Sequence, residues 1–94
     1  MLYALFCIDK PGSEDLRLAN REAHLAYWAA TGKVALGGPF TDDAGAHMEG
    51  SFLVIDVATR AEAEALQQDD PYQLAGLFAH VDIRAWKWLL GQKQ

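Results

Sequence analysis

Cysteine is almost absent from this chain. A single thiol, Cys7, stands in 94 residues, which excludes an internal disulfide and any zinc cage built on cysteines. Basic charge is also scarce. The 8 Lys and Arg face 13 Asp and Glu, a net charge of −5; nonspecific binding to nucleic acid or to an anionic membrane needs the opposite balance. No apolar run approaches the roughly 20 residues of a membrane span. Met1 opens straight into an apolar run with no basic segment before it, so a secretory leader is not expected. Linkers, internal repeats and low-complexity stretches are missing, and residues 1–94 are expected to form one domain. A cytoplasmic location suits these features. The histidines show no HxH or HxxxH spacing, so no metal site is expected. No motif demands a cofactor.

What is present is apolar. Hydrophobic residues make up 51% and charged residues 22%, a balance that favours a folded core over disorder. Leu2–Asp9 reads as a buried strand, broken at Lys10-Pro11-Gly12. Ser13, followed by Glu14 and Asp15, is expected to cap a helix with an acidic first turn, and Gly32 is a natural stop after about Ala30. Lys33–Leu36 reads as a short strand that Gly37-Gly38-Pro39 ends or bends, and Thr41–Glu49 as a polar loop. Ser51–Val57 reads as a third strand. Thr59-Arg60-Ala61-Glu62 fits a capping box for a helix from Ala61 to about Gln68. Asp70 and Pro71 suit the start of a short helical segment to about Phe78, and His80 to about Leu89 reads as the last strand.

The resulting β-α-β-β-α-β order is that of an α+β, ferredoxin-like sandwich. A four-stranded antiparallel sheet carries both main helices on one face. A monomer would leave the other face wet and polar. Here both strand parities are apolar: Leu2, Ala4, Phe6 and Ile8 alternate with Tyr3, Leu5 and Cys7, and Phe52 and Val54 alternate with Leu53, Ile55 and Val57. A chain of this size also buries only roughly 64% of its unfolded surface. Both points predict a homodimer packed through the sheet face.

The first helix carries two stripes. Leu16, Ala19, Ala23, Tyr27 and Ala30 share one arc, expected to face the core. Arg17, Arg21, His24 and Trp28, spaced i, i+4, i+7 and i+11, span about 60° of a flank turned away from it. A charged line on a helix is commonly just a solvated face. His24 is nonetheless the residue type that exchanges protons near neutral pH. Asp69-Asp70-Pro71-Tyr72 is the second cluster. A capping carboxylate at Asp70 uses one lone-pair direction on a backbone N–H and retains others to orient an imidazole. His47 is expected in an exposed loop, His80 in a structural place on the last strand, and Cys7 as an inert core thiol. No nucleophile elbow surrounds Ser51.

The opening MLYALFCIDKPGS, the R-x-x-x-R-x-x-H-L run across Arg17, Arg21, His24 and Leu25, then Gly38-Pro39, Gly50-Ser51, Asp69-Asp70-Pro71-Tyr72 and Gly76 together resemble the YCII-related (YciI-like) family. The likeness covers nearly the whole chain. It implies a dimeric α/β barrel of ferredoxin-like subunits, related in shape to muconolactone isomerases and small monooxygenases. It also implies a site around a His–Asp pair, matched here by His24 and Asp70. Arg17, Arg21, Gly38, Pro39, Ser51 and Tyr72 are the positions expected to bind substrate. Two functions follow as expectations. One is a cofactor-independent enzyme in which the pair moves a proton on a small lactone or enol-type acid, by isomerisation or elimination. The other is a non-catalytic module that binds a small ligand or regulates a partner. An acid–base pair should place a His24 ring nitrogen within about 3.2 Å of an Asp70 oxygen, beside a cavity.

Overall fold

Leu2–Asp9 forms the strand expected of it, β1, in the interior of the sheet. In the computed structural model, which describes residues 1–91, it is followed by α1 (Glu14–Thr31), β2 (Val34–Thr41), β3 (Met48–Asp56), α2 (Arg60–Gln68), α3 (Pro71–Leu74) and β4 (Phe78–Trp86). The strands lie in the order β2-β3-β1-β4, and every neighbouring pair is antiparallel. This is the expected ferredoxin-like arrangement. α1 and α2 share one face of the sheet, where Trp28 and Ala63 join Tyr3, Leu5, Cys7, Leu53, Ile55, Val57 and Ile83 in a single core. The Tyr27 hydroxyl ties the helices together by donating to the Leu66 carbonyl at 2.6 Å.

Several boundaries differ from the sequence expectation. β2 runs through Gly37-Gly38-Pro39 instead of stopping there. It is an edge strand, and an edge tolerates proline where the missing N–H would have faced solvent. Gly37 permits close contact with its neighbour, since a Cβ at this position would meet Leu53 Cδ2 at 2.5 Å. α3 closes after Leu74 because Gly76 takes a left-handed turn at φ 76° and redirects the chain into β4. β4 ends at Trp86, short of the expected Leu89. Trp88 lies beyond it and donates its Nε1–H to the Leu90 carbonyl at 2.7 Å. Ser13 precedes α1 as expected but makes no side-chain capping bond. Thr59 does cap α2, accepting from the Glu62 N–H at 3.2 Å.

The largest correction concerns α1. Its buried residues are Arg17, His24 and Trp28, whereas Leu16 is 37% exposed and Ala19, Ala23 and Ala30 are exposed. Of the stripe assigned to a flank, Arg17, His24 and Trp28 face inward and Arg21 stays exposed, while most of the arc assigned to the core is the outward face. Tyr27 alone of that arc is half-buried. Two effects set this inversion. Exposing alanines loses little burial energy, because each offers little apolar area. Each buried polar group finds a partner inside, as polar burial requires; among the described residues no buried side-chain nitrogen or oxygen lacks one.

Cys7 is 1% exposed in this core. Burial pushes its thiol from the usual 9.0 up to about 12, and the nearby Asp70 charge adds in the same direction. The unfolded chain therefore releases this proton at lower pH than the folded chain. The thiol's contribution to stability is full below pH 9.0 and is lost as pH climbs towards 12. Urea unfolding at about pH 8 and about pH 10.5 should show the wild type losing more stability than Cys7→Ala over this window. Equal losses would mean that the thiol does not resist ionisation in the fold.

Candidate active site

α1 presents Arg17, His24 and Trp28 towards the start of α3, and the Asp70-Pro71 junction meets them there. Asp70 is the N-cap of α3, with Pro71 at the first helical position, where a missing N–H costs nothing. One carboxylate oxygen, Oδ1, accepts from the Tyr72 backbone N–H at 2.9 Å and lies 2.8 Å from His24 Nδ1. The other, Oδ2, accepts from Trp28 Nε1–H at 3.0 Å. Asp70 is 1% exposed and His24 7%. The amide and indole are obligate donors, so Asp70 acts as an acceptor through both oxygens, and the proton of the His24–Asp70 bond is assigned to Nδ1. Nε2 then carries the lone pair. It makes no hydrogen bond among the described residues.

His24 lines a cleft of about 500 Å³ between α1 and the β2–β3 side of the sheet, a volume suited to a small organic molecule. Arg17, Arg21, Gly38, Pro39, Ser51 and Tyr72 line the same cleft, so the structure gathers the expected substrate-binding positions around His24. Asp70 stands behind His24 and is not itself in the lining. Leu18, Leu25, Val34 and Met48 give the cleft an apolar rim. The Tyr72 ring stacks on the His24 imidazole, with centroids 4.0 Å apart and planes 17° from parallel. Burial pushes the Tyr72 phenol up, against the opposing pull of Arg17 and Arg21, so it remains a neutral donor at physiological pH.

The two arginines have different surroundings. Arg17 Nε and Nη2 donate to Asp9 at 2.7 and 3.0 Å, Nη2 also reaches Ser51 Oγ at 2.9 Å, and the guanidinium lies 4.6 Å from the Tyr72 ring centre. Burial disfavours the Arg17 charge, but Asp9 and Tyr72 together outweigh it, and the Arg17 pKa is raised. Arg21 is exposed at the cleft and makes no ion pair or hydrogen bond among the described residues. Asp9 was not anticipated. Its only sequence signal is a charged residue ending an otherwise apolar strand. Trp28 was placed on the right stripe without its bond to Asp70 being foreseen. His47 lies in the exposed loop expected of it and pairs with Glu14 at 3.1 Å, and His80 is exposed on β4. Among the described residues no group of three His, Cys, Asp or Glu side chains could hold a metal ion, and no helix is long and apolar enough to cross a membrane.

Fold and cleft define a small α+β domain with a buried imidazole–carboxylate pair at a ligand-sized opening. The chain belongs to the YCII-related family, whose domain model matches residues 1–87. It is 32% identical to protein YciI of Escherichia coli O6:H1 over 95 residues, covering 93% of this chain and 97% of that one. Protein YciI of Shigella flexneri gives the same figures of 32% and 93%. Among solved structures it resembles the 5-chloro-2-hydroxyhydroquinone dehydrochlorinase of Burkholderia phenoliruptrix AC1100 in complex with 2,5-dihydroxybenzoquinone. The TM-score is 0.84, with 36% identity across 93% of this chain and 94% of that chain.

The Arg17–Asp9 pair beneath the cleft is 6% exposed on each side chain. Arg17→Met, which strands the Asp9 carboxylate, should lower unfolding free energy by about 3–5 kcal/mol in urea titrations, and Arg17→Met/Asp9→Leu by less. A double variant as unstable as Arg17→Met would show that the stranded Asp9 charge is not what destabilises the single variant.

Proposed function

We infer that this protein is a small acid–base enzyme that needs no cofactor. Its His24–Asp70 pair moves a proton on a small enol, lactone or hydroxylated-ring substrate, leading to elimination or isomerisation. The observation that carries the reading is the 2.8 Å contact from His24 Nδ1 to Asp70, which leaves Nε2 beside the cleft without a partner among the described residues. Nε2 would take a proton from carbon or oxygen next to a carbonyl, and Asp70 would stabilise the imidazolium that results. The negative charge left on the substrate oxygen would be met by Arg21 and by the Ser51 hydroxyl, whose own oxygen already accepts from Arg17. In an elimination the electron pair expels the leaving group as its anion. In an isomerisation the imidazolium returns its proton to another carbon. The similarity to a dehydrochlorinase that holds a dihydroxybenzoquinone supports the elimination and a substrate of single-ring size.

The assay is chloride release from 5-chloro-2-hydroxyhydroquinone, with binding of 2,5-dihydroxybenzoquinone measured in parallel. His24→Gln and Asp70→Asn should each lower kcat by about 10²–10⁴-fold. Tight binding of the quinone with no turnover of any small enol or lactone tested would instead favour a ligand-binding module.

The protein is also proposed to work as a homodimer closed through the face of the sheet away from the helices, completing an α/β barrel. Phe6, Phe40 and Phe52 cluster on that face, with centroids 5.2 and 6.1 Å from Phe52. Ile8 and, opposite Leu2 at the other end of β1, Trp86 are 42% and 37% exposed. A second copy would cover this surface with its own identical one and leave the cleft, on the helix side, open. Light scattering at micromolar concentration should give twice the chain mass of 10.3 kDa; a clean monomer would sink the proposal. A cytoplasmic location fits the single buried thiol.

A further inference from the structure

The indole of Trp28 serves two surfaces at once. Its Nε1–H donates to Asp70 Oδ2 at 3.0 Å, and its ring lines the cleft that His24 lines. Asp70 Oδ1 is already shared by the Tyr72 N–H at 2.9 Å and His24 Nδ1 at 2.8 Å. Among the described residues the indole is the only partner of Oδ2. A carboxylate held through one oxygen can still turn about its Cβ–Cγ bond, whereas anchoring the second oxygen removes that freedom. His24 and Trp28 stand four positions apart on α1, on the same side and about one turn along the axis. One helix therefore carries both the imidazole and the group that fixes the imidazole's carboxylate.

We propose that Trp28 is a positioning residue for the His24–Asp70 pair and that it acts through its indole N–H, not through its bulk. The N–H holds Asp70 so that Oδ1 faces Nδ1. The ring is thereby kept in the Nδ1–H tautomer with the Nε2 lone pair at the cleft. The effect on turnover rests on the acid–base reading above; the effect on the imidazole does not.

The test replaces Trp28 with 3-benzothienyl-L-alanine, which keeps the ring shape and puts sulfur in place of N–H. Ring-nitrogen NMR of histidine-labelled protein reads the tautomer, with the His24 signals identified by their absence in His24→Gln. The wild type should hold His24 as the Nδ1–H form, and the benzothienyl variant should shift towards a mixture with the Nε2–H form. Its kcat on whichever substrate the wild type turns over should fall about 10-fold, as for other residues that orient a catalytic group, with KM held within about twofold. Its melting temperature should stay near that of the wild type. Trp28→Phe, which loses donor and bulk together, should show the same tautomer change with a lower melting temperature. If the benzothienyl variant keeps the wild-type tautomer, the proposal is overturned, whatever its activity. A tautomer change in a protein whose turnover survives His24→Gln would support the positioning role and remove the acid–base reading instead.

Discussion

Asp70 is the joint on which the site depends. A carboxylate that is 1% exposed accepts from a backbone amide, an indole and an imidazole, and those donors come from α3 itself and from two turns of α1. Removing a charge from water is costly unless its hydrogen-bonding capacity is met inside, and here both oxygens are occupied. The same contacts dock α3 against α1 and aim the imidazole. Capping of α3 and orientation of the imidazole coincide because one helix start supplies a rigid acceptor, and Pro71 fixes the backbone directly after it.

Around that joint the inward face of α1 is unusually polar for a core helix. Arg17 spans the gap to Asp9 and Ser51 by hydrogen bonds of 2.7 to 3.0 Å, and the Tyr72 ring contacts both Arg17 and His24. Such a network contributes little net stability over apolar packing but defines one arrangement, since any slip strands a buried charge. The apolar core beneath, from Tyr3 to Ile83, supplies the burial energy. The cleft lies where the polar face of α1 passes over the edge strand β2, whose glycines keep the backbone thin.

Much of this was legible in one dimension. The strands at Leu2–Asp9 and Ser51–Val57, the two main helices and the Asp70-Pro71 helix start all follow from patterns that neighbouring residues create: apolar runs, caps, and punctuation by Gly and Pro. The shared line of Arg17, His24 and Trp28 is a consequence of helix geometry alone. Strand ends were less legible. Whether Gly37-Gly38-Pro39 stops β2 or continues it depends on the strand it pairs with, which meets Gly37 at Leu53, Gly38 at Phe52 and Pro39 at Ser51.

The sequence by itself therefore determined the order of elements, their type, and the set of side chains able to do acid–base chemistry. Which face of α1 turns inward was decided only by tertiary structure. Helical periodicity distinguishes two stripes, but it cannot say that Asp9, Ser51 and Asp70 wait on other elements to satisfy Arg17, His24 and Trp28. Burial of a polar stripe is unfavourable until its partners are present, and those partners lie 8 to 46 residues away along the chain. They meet it only once the sheet has formed and α3 has closed on α1.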